Sequence, residues 1–239
     1  MIIIAHRGFH KIYQENCLKA FEAAIGKADA IEMDIHITKD KKLVVYHNPK
    51  IKTLNKRINE LTLKQIKNYS KKIPLFEDVL KTMRKRIKFV IEIKAKDIEK
   101  DVLNLTKKYL SYNDFVFISF KEYVLGKLKK LDKRVKTGLI IGPYDKELGI
   151  IKSFLKFLKN SIFINKIGKT YKIDFYGINH IVAPLYFSWA KKNKKQIFLW
   201  VVNNKNIRKY KNKKYKGIIA GIISNTPDVA KQIFKLSNL

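Results

Sequence analysis

The chain has 239 residues, 46% of them hydrophobic, with 52 Lys and Arg against 20 Asp and Glu and a formal net charge of +32. That apolar fraction excludes a disordered chain, and the length suits one large unit of alternating strands and helices. The single cysteine, Cys17, excludes an internal disulfide, and no apolar run reaches the ~18–20 residues that cross a bilayer.

The first element is the strand IIIA (Ile2–Ala5), interrupted by charge too soon to act as a signal peptide, which sets the expectation of a cytoplasmic protein. ENCLKAFEAAIGKAD follows with helical spacing and acids near its N-terminus. The run AIEMDIHI (Ala30–Ile37) reads as a strand, and only TKDKK separates it from LVVYH (Leu43–His47). A parallel crossover needs on the order of a dozen residues or more, so Leu43–His47 folds back as an antiparallel hairpin strand. The remaining strands are FVIEIK (Phe89–Lys94), FVFISF (Phe115–Phe120), TGLIIG (Thr137–Gly142), YGINHIV (Tyr176–Val182), IFLWVV (Ile197–Val202) and GIIAGIIS (Gly217–Ser224). Between the fifth and sixth barrel strands, Ile150–Ile164 is apolar at helical spacing with lysines interspersed. It fits either a barrel helix or a surface that grazes a membrane. SNTPDVAKQIFKL closes the chain as a helix, with Thr226 at the N-cap and Pro227 at the first helical position. Apart from the hairpin strand, eight β/α units remain. The expected fold is α/β, a (β/α)8 TIM barrel forming a single domain over 1–239, with an extra β-hairpin strand after the second barrel strand.

In such a barrel the chemistry sits where strands end. The early strand ends carry His6 and Arg7, then Glu32 and Asp34, then Glu92 and Lys94. Strand residues two apart share a face, so Glu32 and Asp34 point together, as do Glu92 and Lys94. Each acid alone could be a salt-bridged surface group. Three carboxylates converging on one mouth repel one another, and a divalent cation resolves that repulsion. All-oxygen ligation favours Mg²⁺ or Ca²⁺ over zinc. The hairpin returns His47 to the same mouth, opposite His6, and two imidazoles there can serve as general base and general acid. Which histidine takes which role is open. Arg7 offers a planar fork and Lys94 a point charge for a phosphate. The set suits phosphodiester cleavage.

The ordered series AHRG, EN at Glu15–Asn16, EMD, TKD…LVVYHN, IPLFEDVL, EIK, ISF, WVVN and GIISNTPD resembles the motifs of the glycerophosphodiester phosphodiesterase family, from Ile3 to about Val229. The resemblance implies a metal-aided barrel enzyme that hydrolyses glycerophosphodiesters to sn-glycerol 3-phosphate and an alcohol. By that likeness His6 and His47 match the catalytic pair, and Glu32, Asp34 and Glu92 the metal ligands. Arg7 and Lys94 match phosphate-contacting residues, Trp200 a tryptophan lining the glycerol pocket, and Glu15 a further polar group at the mouth. The chain departs from the family pattern at Asn48, where HD is usual, at QENC for PENT, at WVVN for WTVN, and at Ser224–Asn225 for TD. These departures bear on specificity and rate more than on the chemistry.

Other residues have plainer readings. His36 shares the acids' face but lies further out and is structural; His10 is a loop residue; His180 packs or reaches the mouth. Trp200 could be core, Glu15 and Asn16 could cap the first helix, and Cys17 is a small buried hydrophobe. The charge is mostly a lysine-rich solvated surface, since six of the 52 basic residues are arginine and base readout favours arginine's fork. The expected partner is a small diester, with no specific nucleic acid. Two alternatives stand beside it: a same-fold enzyme acting on lysophospholipids or other lipid diesters, with membrane contact through Phe154–Phe163, and a lysine-rich nucleic-acid-binding protein.

Overall fold

The computed structural model describes residues 1–143 and 149–235. Eight strands, β1 (Ile2–Ala5), β2 (Ala30–Ile37), β6 (Lys88–Ile93), β7 (Phe115–Ser119), β8 (Thr137–Ile141), β9 (Phe175–Asn179), β10 (Ile197–Trp200) and β11 (Ile219–Ser224), pair in parallel around a closed ring. Closure is made by β1, which pairs with β11 at Ile3↔Ile222 on one side and with β2 at Ile4↔Ala30 on the other. Strand β3 (Leu43–Val45) lies outside the ring, antiparallel to the outer end of β2, with Ile35↔Val45 and Ile37↔Leu43 in register. The short TKDKK connection forces this geometry, as the sequence requires.

Helices α1 (Leu18–Ala23), α3 (Phe76–Met83), α4 (Glu99–Tyr109), α5 (Glu122–Leu131), α6 (Ile150–Ile162), α7 (Ile164–Thr170), α8 (Pro184–Lys192), α9 (Asn204–Ile207) and α10 (Pro227–Lys235) fill the crossovers. Between β3 and β6 the chain adds a tiny hairpin, β4 (Lys50–Ile51) with β5 (Lys56–Arg57), and helix α2 (Leu63–Tyr69). This insertion closes on its own small core of Val44, Ile51, Ile58, Leu61, Ile66 and Ile73. Thr62 and Gln65 form a capping box at the start of α2.

Side-chain alternation divides the rest. Ile3, Ile31, Met33, Ile35, Phe89, Ile91 and Phe117 point outward into the large core beneath the helices. Ile4, Ala30, Val90, Ile118, Ile140 and Ile223 point inward and plug the barrel, joined by Phe175, Phe198 and Trp200. The interior is thus a packed plug, and the inward positions above it form the floor of the mouth. Gly142 makes room for the largest of these rings: a Cβ there would lie 2.7 Å from Trp200 Cζ2.

Two local expectations are corrected. Helix α1 begins at Leu18, with no acid in its first turn, because Glu15 and Asn16 lie in the preceding turn. The run Tyr176–Val182 leaves the sheet at Asn179, where the Asn179 side chain accepts a hydrogen bond from the Ile181 N–H at 3.0 Å and turns the chain into α8.

The turn after β1 carries the tightest backbone requirement. Arg7 and Gly8 both have positive φ, 54° and 81°, and a Cβ on Gly8 would sit 2.7 Å from the Ala20 carbonyl carbon. Gly8→Ala should therefore lower unfolding free energy by about 2 kcal/mol or more, through both φ and the clash with α1. Urea unfolding followed by circular dichroism measures it, and an unchanged midpoint would show that the turn tolerates a side chain.

Candidate active site

The ends of β1, β2, β6 and β10 and the turn after β3 open into a cavity of about 380 Å³. Of the residues singled out in the sequence, His6, Arg7, Glu32, His47, Glu92, Lys94 and Trp200 line it. Asp34 lies just beneath, 1% exposed. In the β2–β6 register Asp34 stands directly opposite Glu92. Glu32, Asp34 and Glu92 are all buried, and one carboxylate oxygen from each lies within 4.8 Å of the others. Such a trio can hold a metal ion. Asp34 Oδ1 is buried and, besides its ion pair with Lys94, accepts no hydrogen bond; an all-oxygen set of this kind suits a hard cation.

Cations of the chain surround the acids. Lys94 Nζ lies 2.8 Å from Glu92 Oε1 and 3.1 Å from Asp34 Oδ1. Arg7 Nε lies 3.4 Å from Asp34 Oδ2, and the Arg7 backbone N–H donates to Glu32 Oε2 at 2.9 Å. The left-handed backbone at Arg7 aims that N–H at the carboxylate, a strained conformation placed at a site. Glu15 accepts from Arg7 Nη1 through both oxygens at 2.9 Å. It holds the guanidinium and is not itself among the cavity-lining residues. Asn16, also left-handed at φ 57°, donates to Asp34 Oδ2 at 2.7 Å and accepts from the Asp34 N–H at 3.3 Å. Neither residue caps α1.

His6 Nδ1 is 2.7 Å from Asn225 Oδ1, and its Nε2 is 4.0 Å from Glu32 Oε2. With Asn225 as acceptor, the proton sits on Nδ1 and the Nε2 lone pair faces the acids. His47 Nδ1 pairs with Asn48 Oδ1 at 3.2 Å. Both asparagines stand where the sequence departs from the family pattern, and each engages the histidine beside the mouth. His36 is buried, its Nε2 3.4 Å from the His47 carbonyl. His10 bonds the Gly8 carbonyl in the loop. His180 is half-buried and absent from the cavity wall, although Asn179 and Ile181 on either side belong to it. Trp200 donates from Nε1 to the Gly177 carbonyl at 3.1 Å and meets Phe120 edge-on at 5.4 Å. Phe120, Lys121 and Asn179 are wall residues that the sequence reading did not single out. Lys121 Nζ donates to the Lys94 carbonyl at 2.6 Å.

The electrostatics follow from this crowding. Burial, reinforced by Asp34 and Glu92, pushes the Glu32 carboxyl well above its usual range. Burial also pushes Glu92 up to about 7, against the pull of Lys94. Burial opposes ionisation of Asp34 too, but Lys94 and Arg7 hold it below the usual carboxylate range. The Lys94 ammonium is held above its ordinary value by Asp34 and Glu92 despite burial. His6 is pushed down to about 3, first by burial and then by Arg7.

The model of the glycerophosphoryl diester phosphodiesterase family matches residues 6–229. The chain belongs to that family. A glycerophosphodiester phosphodiesterase from Caldanaerobacter subterraneus is 26% identical, over 95% of this chain and 95% of its own. The structure of a glycerophosphodiester phosphodiesterase from Thermotoga maritima matches with a TM-score of 0.72 at 26% identity, covering 99% of this chain and 98% of the other. A phosphodiesterase of Oleispira antarctica, solved in complex with the product sn-glycerol-3-phosphate, matches with a TM-score of 0.75, covering 98% of this chain and 97% of the other. At 15% identity that last likeness is one of fold. As a glycerophosphodiester phosphodiesterase by family, the chain is an enzyme.

A divalent cation entering the acidic trio competes with protons there, since Glu92 is pushed up to about 7 and Glu32 is shifted in the same direction by burial. Apparent affinity for the cation should therefore rise with pH through this range, with proton release on binding. Calorimetric titration in two buffers of different ionisation heat measures both effects. Affinity that stays flat with pH, or survives in Glu92→Gln, would argue against the trio.

Proposed function

We propose that the enzyme hydrolyses glycerophosphodiesters to sn-glycerol 3-phosphate and an alcohol, using Mg²⁺ or Ca²⁺ held by Glu32, Asp34 and Glu92. The observation that carries this reading is the buried carboxylate trio, of which Glu32 and Glu92 line a cavity together with two imidazoles and two cations. The product-bound Oleispira relative supports the substrate class.

The chemistry a bound divalent cation supplies is electrophilic: it draws charge from a non-bridging phosphate oxygen and steadies the glycerol hydroxyls. The chain's own groups do the rest. Arg7, braced by Glu15, and Lys94 bind the phosphate. Trp200, pinned to Gly177 and Phe120, offers an apolar wall to the glycerol carbons. His6, neutral and with its Nε2 lone pair toward the acids, accepts the proton of the nucleophile. His47 donates a proton to the leaving alkoxide, so the P–O bond to the alcohol breaks with the charge neutralised. Asn225 and Asn48 keep the rings oriented through Nδ1. Water or the glycerol 2-hydroxyl can serve as nucleophile, and the second route passes through a cyclic phosphate. A cytoplasmic setting belongs to the same proposal, in keeping with the one cysteine, Cys17, which is buried and unpaired.

Turnover of glycerophosphocholine followed by phosphorus NMR tests the reading and reports any cyclic intermediate. His6→Ala and His47→Ala should each cost ~10²–10⁴ in kcat. Chelation with EDTA should abolish activity, and Mg²⁺ or Ca²⁺ should restore it. Activity that persists through both chelation and His6→Ala would overturn the mechanism. Trp200→Ala should raise KM more than it lowers kcat, since it removes binding surface that is the same in ground and transition states.

A further inference from the structure

Helix α6 is inverted relative to its neighbours. In α4 and α5 the aliphatic residues Val102, Leu103, Val124, Leu125 and Leu128 are buried, as barrel helices require. In α6 the buried described residues are Ser153, Phe157 and Asn160, two of them polar. The aliphatic and aromatic stripe points the other way: Ile151 is 76% exposed, Phe154 51%, Leu155 59%, Leu158 38% and Ile162 72%. These residues recur at the three- and four-residue spacing of one helix face. A continuous apolar stripe of this size on a protein surface marks a contact site. Lys152 and Lys159 are exposed along its flank.

Helix α6 belongs to the crossover between β8 and β9. Helix α6 leaves the same end of the barrel at which β8 finishes, and it packs on α8 through Phe157 and Tyr186, whose ring centroids are 6.5 Å apart. Next to Tyr186, Leu185 is 75% exposed, and Ile181, a residue of the cavity wall, is 71% exposed. Exposed apolar side chains are thus found both on the outer face of α6 and around the start of α8.

We propose that this face docks the enzyme on an anionic phospholipid bilayer. Aliphatic side chains flanked by lysines match a bilayer interface, where the apolar residues enter the headgroup boundary and the lysines meet anionic lipid. A second copy of the chain would bring another net charge of +32 against the first. Ile151, Leu155, Leu158 and Ile162 offer no stacking platform to nucleic-acid bases, and Phe154 is the one aromatic ring among the five. The bilayer is the occupant that satisfies both the stripe and the charge.

Docking is measured without turnover, so it stands or falls separately from the proposed reaction. The full chain is sedimented with phosphatidylcholine vesicles, with and without phosphatidylglycerol. The expected result is pelleting with the anionic vesicles and a loss of about tenfold or more in binding for Leu155→Asp/Ile162→Asp. That variant should keep its thermal melt and its hydrolysis of soluble glycerophosphocholine. A second variant, Lys152→Glu/Lys159→Glu, should weaken binding to the anionic vesicles by about fivefold or more and guards against a folding defect in the first. No pelleting, or pelleting that the apolar variant leaves intact, overturns the proposal. So does light scattering that finds a dimer which Leu155→Asp/Ile162→Asp dissociates, because the stripe would then be a contact between copies.

Discussion

Everything at the mouth answers to the mutual repulsion of three buried carboxylates. Glu32, Asp34 and Glu92 are withdrawn from water within 4.8 Å of one another. Desolvation alone drives such groups to hold their protons. The chain offsets part of this with Lys94 and Arg7, but unevenly: Asp34 is well served by both, while Glu32 and Glu92 are shifted toward the protonated form. Two cations stand beside three acids, and such a trio can hold a metal ion.

The barrel makes this crowding feasible by separating its two packing tasks. Outward residues of β1, β2 and β6 fasten the strands to the helices, so the inward positions are free to carry polar groups at the upper ends. Below them Ile4, Ala30, Val90, Ile118, Ile140 and Ile223 pack the lumen, so the acids rest on an apolar plug. Arg7 links the two levels. Its backbone serves Glu32, its side chain serves Asp34 and Glu15, and the close packing of Gly8 on Ala20 fixes where both can reach.

Much of this was legible in the sequence, because it depends on short-range rules. Alternation in AIEMDIHI put Glu32 and Asp34 on one face, and the brevity of TKDKK dictated the hairpin that carries the chain back toward His47. What escaped depends on contacts between distant segments. Glu15 and Asn16 read equally well as the first residues of a helix, and only pairing with Arg7 and Asp34 draws them into the turn before it. Lys121 and Asn179 follow strand ends like many polar residues, and nothing local distinguishes them as walls of the cavity. The insertion of α2 with its own core looked like an ordinary crossover. For α6, apolar residues at helical spacing fitted either a barrel helix or a surface that grazes a membrane, and spacing alone does not say whether an apolar stripe faces the barrel or solvent.

The insertion between β3 and β6 has a bearing on how the site holds together. His47 and Asn48 sit where the hairpin enters this small lobe, whose interior is six aliphatic side chains, whereas His6 and the acids are anchored in the closed ring. Cooperative units with fewer buried contacts open at lower free energy than the body they attach to. One imidazole is therefore mounted on the closed ring and the other at the entrance to a smaller lobe with its own core, so local opening of that lobe would part the two rings while the strands that carry the acids stay paired.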